Sequence, residues 1–234
     1  MSDRGYVIIK SEEIDAIRGI NSIVADILLF CATLIIVHSP GVIPKMKGTN
    51  NQPIYVVAIC GSLRDGSSTH AALQIALSGA KDAGAEVELL QLSKYELVFQ
   101  GSVANEDDYP AGVFKLREKV KRADGILLGS PEYHGGFSGV LKSALDLMGF
   151  DEFENKVVGL IGVSGGRMGA ANALSMLRTV GTALHAWVVP KDASIPNSSN
   201  AFDANGNLRD PELAARVKAV GEQVTEFAAL RNSA

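Results

Sequence analysis

The residues best suited to chemistry lie in three short segments rich in glycine and hydroxyl side chains. The first, residues 61–69, reads Gly-Ser-Leu-Arg-Asp-Gly-Ser-Ser-Thr. Its glycines allow a tight turn, and the hydroxyls of Ser62, Ser67 and Thr69 can donate to phosphate oxygens. The segment leads into a predicted helix, whose free N–H groups and dipole also favour an anion. It therefore predicts an anion site, with a plain strand-to-helix turn as the alternative for this segment alone.

The charged residues of the first segment bear on the predicted anion site. Arg64 can add a charge-assisted contact to the anion, and the neighbouring Asp65 partly offsets its field. The spacing from Gly61 to Gly66 also matches a nucleoside triphosphate P-loop, but Ser67 stands where that motif needs Lys. The segment therefore disfavours nucleoside triphosphate hydrolysis.

The second segment, residues 130–139, interleaves Tyr133, His134 and Phe137 with Pro and Gly. It offers both backbone N–H groups and flat apolar faces. An isoalloxazine ring needs both, because its dimethylbenzene end is apolar while its nitrogens and carbonyl oxygens need hydrogen-bond partners. For Tyr133 and Phe137 the alternative is ordinary packing over the edge of a sheet. His134 suggests a proton donor or a metal ligand.

The third segment, residues 164–169, reads Ser-Gly-Gly-Arg-Met-Gly. Its small residues let the backbone approach a planar ligand closely. Arg167 can place positive charge near the N1 and O2 edge of a flavin, which would favour the reduced anion. A surface position and an intersubunit contact are the alternatives for Arg167. The three segments together support a flavin site more strongly than any one of them does alone.

The elements that must position these segments follow from the hydrophobic pattern. From Pro53 onward, short β-branched runs alternate with longer amphipathic stretches, which predicts an α/β domain with a mainly parallel sheet. The five predicted strands are 54–60, 86–90, 125–129, 157–163 and 186–189. The five predicted helices are 68–83, 111–122, 138–148, 170–183 and 211–230. Ser67 or Ser68 can cap the first helix, and Asp210 with Pro211 can begin the last.

Each of the three segments follows a predicted strand. In an open parallel sheet, ligands bind beyond the carboxyl ends of the strands. We therefore expect the three segments to meet at one edge of the sheet. The acidic stretch 105–108 is interpreted as a solvated loop.

Composition limits the class of partner. The apolar share of 47% is ample for one large domain. A net charge of −4 disfavours a nucleic-acid partner, because such a surface must neutralise phosphates. Cys31 and Cys60 form no CxxC pair, and the other histidines form no ligand cluster with His134, so neither a disulfide framework nor a metal site is predicted. A reducing, cytoplasmic compartment is the simplest inference.

Residues 1–52 differ from the rest of the chain and are predicted to be a poorly ordered extension. The apolar run 23–37 is shorter than the roughly 20 residues that a membrane span needs, and it contains Asp26. Membrane association through residues 17–37 is the disfavoured alternative. An acidic start and the lack of a clear cleavage site disfavour a secretory signal. A further hypothesis is that Met46 is the true initiator, which the intact mass of the native protein would test.

Three motifs resemble those of the NADPH-dependent FMN reductase-like branch of the flavodoxin-like proteins, which includes quinone, azo-dye and chromate reductases. They are Gly61-Ser62-Leu63-Arg64 with Ser67 and Thr69, Ser130-Pro131-Glu132-Tyr133 running into residues 141–146, and Val163 to Gly169. The resemblance covers Ile54 to about Leu230. It implies a flavodoxin-like three-layer sandwich over residues 53–234, with five parallel strands in the order 2-1-3-4-5.

The resemblance also implies FMN as cofactor and NADPH or NADH as co-substrate. It assigns residues to three parts of the FMN. The phosphate would be held by Ser62, Arg64, Ser67, Ser68 and Thr69. One side of the isoalloxazine would be lined by Pro131, Glu132, Tyr133, His134 and Gly135. Its polar edge would lie at Ser164, Gly165, Gly166 and Arg167.

By the same resemblance we expect a homodimer or homotetramer with the flavin near the subunit interface. Lys142 and Asp146 look like the pair that often bridges subunits in this family. Two departures are visible, since many relatives have Asn in place of His134 and Pro in place of Ser138. Acceptor preference and pH dependence are therefore harder to transfer than flavin binding.

The activity expected from these observations is hydride transfer from reduced nicotinamide, through FMN, to a small acceptor with ping-pong kinetics. The acceptor class is a quinone, a free flavin, an azo compound or an oxyanion. No side-chain catalyst is predicted, because the flavin carries the redox chemistry and the protein positions the rings. The alternative is a flavodoxin-type electron carrier that does not oxidise nicotinamide. A more acidic surface and aromatic cover on both ring faces are typical of such carriers.

Overall fold

The computed structural model describes residues 53–233 of the chain. Its six strands are β1 Tyr55–Cys60, β2 Glu86–Gln91, β3 Gly125–Tyr133, β4 Gly136–Phe137, β5 Val157–Val163 and β6 Trp187–Ile195. Five of them run parallel in the order β2-β1-β3-β5-β6, and β4 pairs antiparallel with the end of β3. Counted along the chain, the parallel strands have the predicted order 2-1-3-4-5. The prediction of a flavodoxin-like sheet is confirmed, with one short extra strand.

Helices cover both faces of this sheet. They are α1 Ser68–Asp82, α2 Ala111–Arg122, α3 Gly139–Asp146, α4 Phe150–Phe153, α5 Ala171–Ala183, α6 Ser198–Ala201 and α7 Pro211–Asn232. Alternate residues of β1 point to opposite faces, so Val56 and Ala58 pack with α1 and α7 while Val57 and Ile59 pack with α2, α3 and α5. The result is the expected three-layer sandwich.

Helices α1 and α7 approach each other unusually closely. A Cβ atom on Gly221 would lie 1.8 Å from the carbonyl oxygen of Ala76, and one on Gly79 would lie 2.2 Å from that of Lys218. Only glycine leaves room for this backbone contact. The pair fixes α7 against α1, whose first turn carries the predicted anion site.

Several predicted boundaries were wrong. β3 runs on to Tyr133 instead of ending at residue 129, and β6 continues to Ile195 instead of ending at residue 189. The third helix is shorter than predicted, and α4 and α6 were not predicted. The acidic stretch 105–108, interpreted as a loop, contains a short 3-10 helix at Glu106–Asp108. Ser67, and not Ser68, caps α1, while Asp210 caps α7 as expected.

One of the two edge strands of the sheet, β6, is interrupted by a bulge. Val188 pairs with Val158 and Asp192 pairs with Leu160, so three residues of β6 lie opposite one residue of β5. Arg178 Nη1 of α5 donates to the carbonyl oxygen of Val189 at 3.1 Å. The backbone N–H of Lys191 donates to Gln223 Oε1 of α7 at 3.0 Å. Side chains from two helices thus hold the bulge in place.

The predictions for residues 1–52, including the apolar run 23–37, the start at Met46 and the state of Cys31, lie outside the described residues. Within residues 53–233, no helix is both long and apolar enough to cross a bilayer. Cys60 is a buried free thiol at the end of β1.

Candidate functional site

The predicted anion site lies at the carboxyl end of β1. The side chains of Ser62, Ser67 and Thr69 are buried there, and Ser67 Oγ accepts a hydrogen bond from the backbone N–H of His70 at 3.2 Å. Gly66 has a φ of +62°, a conformation that favours glycine at this turn. Arg64 is exposed beside these hydroxyls. Hydroxyls, a helix N-terminus and a guanidinium therefore lie together in the first loop.

Cys60 ends the strand behind this loop. Its Sγ lies 3.8 Å from the carbonyl oxygen of Ser62. Burial raises the pKa of the Cys60 thiol above its ordinary value, and hydrogen bonds from the loop only partly oppose this. The thiol packs within the core between the sheet and α1.

Ser138 joins the first loop to the second. Its Oγ donates to the carbonyl oxygen of Gly61 at 2.6 Å and accepts from the backbone N–H of Leu141 at 3.3 Å, which caps α3. Its backbone N–H donates to Ser130 Oγ at 2.9 Å. A proline could not make that last bond because it has no N–H. The Ser138 departure noted in the sequence therefore fits this particular loop connection.

The second segment is a β-hairpin and not an open loop. Glu132 pairs with Phe137, Tyr133 pairs with Gly136, and the two residues between them turn with φ of 51° at His134 and 77° at Gly135. Two successive positive φ angles are typical of a type I′ turn, which favours Asn-Gly. The Asn of many relatives suits this turn better than His134 does.

The aromatic side chains of the hairpin differ in exposure. The Tyr133 side chain is 52% exposed beside the site, so the packing alternative does not hold for it. Phe137 is half-buried against the core, so ordinary packing accounts for Phe137. His134 is exposed at the tip of the turn.

Glu132 does not point to open space. Its Oε2 accepts a hydrogen bond from the backbone N–H of Ala173 at 2.9 Å, in the first turn of α5. The carboxylate therefore connects the hairpin to the helix that follows the third segment.

The third segment is open. Ser164 Oγ accepts from the backbone N–H of Gly166 at 3.1 Å, which folds the loop back on itself. A Cβ atom on Gly165 would meet no other atom within 4 Å. Arg167 is exposed, and the side chain of Met168 is 91% exposed. A planar ligand would find exposed backbone and an exposed guanidinium here.

A fourth segment, residues 196–199, connects the first and third loops and was not predicted from the sequence. After β6, the backbone N–H of Asn197 donates to the carbonyl oxygen of Gly166 at 3.1 Å, and that of Ser198 donates to Ser164 at 3.0 Å. Ser68 Oγ donates to the carbonyl oxygen of Ser198 at 3.5 Å. The segment thus bridges the first and third loops. The turn-forming run Pro-Asn-Ser-Ser at 196–199 was its only signal in the sequence.

All fourteen predicted site residues lie at this one edge of the sheet. The sequence pattern of the NADPH-dependent FMN reductase family matches residues 54–200, which include all of them. The chain belongs to this family. It is accordingly an FMN-dependent oxidoreductase that takes NAD(P)H as its reductant.

Individual proteins support the same family. An FMN-dependent NADPH-azoreductase of Staphylococcus aureus is 34% identical over 174 residues, which are 72% of this chain and 92% of the relative. In fold, the apo form of an NADH:FMN oxidoreductase superposes with a TM-score of 0.62 at 18% identity, covering 74% of this chain and 89% of that one. The flavoenzyme NAD(P)H:acceptor oxidoreductase FerB of Paracoccus denitrificans gives a TM-score of 0.62 at 22% identity, covering 75% and 97%.

The donor set of this site fits FMN. Buried hydroxyls and the first turn of α1 suit a doubly charged phosphate, because the free N–H groups and the dipole of a helix start favour an anion. The exposed Tyr133 face and the open backbone at Gly165 suit a planar ring. Within residues 53–233, no three His, Cys, Asp or Glu side chains cluster as metal ligands.

One expectation about the subunit interface concerns Lys142 and Asp146. Lys142 Nζ donates to both carboxylate oxygens of Asp146, at 2.7 and 2.8 Å, within α3. The two are one turn apart on the same helix, and both side chains remain exposed to solvent. That this pair bridges subunits stays a prediction.

Proposed function

We propose that this FMN reductase passes hydride from NAD(P)H, through FMN at the carboxyl edge of the sheet, to a small electron-poor acceptor. Quinones, free flavins, azo compounds and oxyanions are the candidate acceptors. The observation that carries the proposal is the convergence of three ligand-compatible loops on one edge, with Tyr133 exposed beside them.

The first loop would hold the phosphate. Ser62, Ser67 and Thr69 present hydroxyls, the N-terminus of α1 adds N–H groups, and Arg64 contributes positive charge. A phosphate held at one end fixes the position of the ring at the other end, which lowers the entropic cost of aligning it with a substrate.

The hairpin and the third loop would hold the ring. Bound FMN supplies a hydride-accepting and hydride-donating centre at N5. Arg167 is exposed and has no ion-pair partner within residues 53–233, so its charge is available to stabilise negative charge at the polar edge of the ring. Backbone N–H groups of the loops would orient the ring carbonyls.

The open third loop favours a reductase over an electron carrier. Carriers cover the ring on both sides, whereas a Cβ atom on Gly165 would meet nothing within 4 Å. Nicotinamide and acceptor would therefore use the same exposed space in turn. We expect parallel lines in double-reciprocal plots, and intersecting lines would argue for simultaneous binding.

We also propose that the protein works as a homodimer or homotetramer in the cytoplasm. Exposed Leu63, Tyr133 and Met168 lie at the site edge and supply apolar surface for a second copy. A buried free Cys60 is compatible with a reducing compartment. Light scattering at working concentration tests the oligomeric state.

The deciding experiment is the absorption spectrum of freshly purified protein, followed by anaerobic addition of NADPH. A bound flavin spectrum that bleaches on addition, with reoxidation by a quinone, is the expected result. A colourless protein that also fails to take up added FMN would overturn the proposal. A flavin that binds but does not bleach would support the carrier alternative.

A further inference from the structure

The N-terminus of α5 lacks a cap of its own. The residue at the N-cap position is Ala170, whose side chain cannot accept a hydrogen bond. The free N–H groups at a helix start otherwise need partners from elsewhere. Two distant side chains supply them here: Ser194 Oγ accepts from Ala170 N–H at 2.8 Å, and Glu132 Oε2 accepts from Ala173 N–H at 2.9 Å.

The Glu132 bond joins two walls of the proposed FMN site. Glu132 lies in the β3–β4 hairpin, while α5 begins directly after the third loop. The carboxylate therefore holds the hairpin at a set distance from the start of α5. A charged acceptor at a helix N-terminus makes a stronger bond than a neutral one, because it also interacts with the helix dipole.

Packing supports the same connection. A Cβ atom on Gly136 would lie 3.5 Å from Met176 Sδ, and one on Gly135 would lie 3.7 Å from Asn172 Nδ2. The hairpin thus rests on the first two turns of α5. Glu132 is the group that makes a directional bond across this contact.

We propose that Glu132 is a positioning residue of the FMN site, which acts by capping α5 from the hairpin and so fixes the third loop against it. The inference rests on the proposed function. It differs from the sequence-based expectation, in which Glu132 lines the isoalloxazine directly, because the bond to Ala173 already engages the carboxylate.

The test compares Glu132→Ala with Glu132→Gln in otherwise full-length protein. Alanine removes the acceptor, whereas the glutamine amide oxygen can still accept from Ala173 N–H. We expect the dissociation constant of FMN, measured by flavin fluorescence quenching on apoprotein, to rise about tenfold in Glu132→Ala, within the range that loss of a helix cap covers. In Glu132→Gln it should rise by less than about threefold, since a neutral acceptor keeps part of the bond.

Asp124→Ala is the matched control. Asp124 accepts from the backbone N–H of Tyr55 at 2.8 Å and from Asn232 Nδ2 at 2.9 Å, at the amino end of β3. This variant should lower the melting temperature about as much as Glu132→Ala while leaving FMN affinity unchanged. All measurements are made at a temperature where circular dichroism reports folded protein.

The outcomes distinguish the positioning role of Glu132 from the proposed function. An FMN affinity in Glu132→Ala equal to that of the wild type overturns the positioning role alone. Equal losses in Glu132→Ala and Glu132→Gln also overturn it, since rescue by the retained acceptor is what positioning requires. A wild-type protein that takes up no FMN overturns the proposed function first, and the inference with it.

Discussion

The amino and carboxyl ends of the parallel strands, called here the amino edge and the carboxyl edge, differ in how their charged groups are paired. At the amino edge, polar groups bond to one another: Asp124 accepts from the backbone N–H of Tyr55 at 2.8 Å and from Asn232 Nδ2 at 2.9 Å. At the carboxyl edge, Arg64 and Arg167 have no ion-pair partner within the part of the chain that the structure describes. Charged groups at the amino edge hold the fold together, whereas these two arginines are left for a ligand.

Further contacts near the amino edge follow the same rule. Glu88 accepts from Tyr55 Oη and from Lys119 Nζ, between β2 and α2. The Tyr55 pKa is raised, chiefly by burial and then by its hydrogen bond to Glu88. The comparison teaches that stability and ligand binding are assigned to different ends of the same strands. Substitutions at the amino end should therefore leave FMN affinity unchanged.

The largest expected effect is on stability, from Glu152→Ala. Glu152 is 2% exposed, and its carboxylate accepts from Arg117 Nε at 3.1 Å and from Gly149 N–H at 2.8 Å. Its removal leaves both donors without a partner and should lower the free energy of unfolding by about 3 kcal/mol. Urea denaturation measures this, and the FMN dissociation constant of the folded variant should match the wild type. A weaker FMN affinity would contradict the separation of the two edges.

The next largest expected effect is a loss of FMN affinity in Ser68→Asp. Ser68 is half-buried in the first turn of α1, where aspartate suits the helix dipole but repels a phosphate. FMN affinity should fall about 100-fold at low salt, while the melting temperature of the apoprotein stays within a few degrees of the wild type.

Ser68→Asn is the neutral, nearly isosteric control for this change. It should weaken FMN by less than about tenfold, because it adds no charge. Equal losses in the two variants would mean that the phosphate does not bind at this turn.

A smaller effect is the pH dependence that Lys156 contributes at the amino edge. Lys156 Nζ donates to the carbonyl oxygen of Val120 at 2.9 Å and to that of Lys121, at the end of α2. Burial lowers the pKa of Lys156 from 10.5 to about 8. Between these two values the unfolded chain binds more protons than the folded one, so stability from this group rises as pH rises.

Lys156→Met isolates this contribution, because all other groups titrate alike in both proteins. Relative to the variant, the wild type should gain about 1 kcal/mol from pH 8 to 10.5, after allowance for solvent screening of a partly exposed amine. Urea midpoints at several pH values measure it. A difference that stays constant with pH would contradict the lowered pKa.

The smallest effect is expected from His134→Asn at the carboxyl edge. Asparagine adopts the positive φ of this turn more readily than histidine, so the free energy of unfolding should increase by about 0.5 kcal/mol. The same variant tests whether His134 affects the acceptor, through the pH profile of kcat/KM with a quinone. An unstable His134→Asn would show that the ring of His134 contributes contacts that outweigh the turn geometry.

The sequence predicted elements whose pattern is local. β5 was predicted in full, because Val157–Val163 is an uninterrupted apolar run, and α2 was predicted at both ends, because Pro110 and Ala123 bound an amphipathic stretch. The ends of β3 and β6 were missed because they depend on distant partners. β3 is extended by pairing with Gly136–Phe137, and the alternation in β6 is interrupted by its bulge.

In the candidate site, too, local patterns were predicted and contacts between distant residues were not. Glycine and hydroxyl residues after the strands identified the three loops, and all of them lie at one edge. The bond from Glu132 to α5 and the bridge through Ser198 could not be predicted, because each joins residues far apart in sequence. The bond between Lys142 and Asp146 within α3 agrees with their spacing of four residues on a helix, and their expected contact with a second subunit stays a prediction.

The bulge in β6 has a consequence for how copies of this protein can meet. Pro190 offers no N–H to an incoming strand, and the carbonyl of Val189 and the N–H of Lys191 are already taken by Arg178 and Gln223. A neighbouring molecule cannot continue the sheet from this margin, so the strand margin is protected from fibre-like stacking. A copy that meets the protein along β6 must then use helices and loops, whose side chains can specify one partner and one orientation.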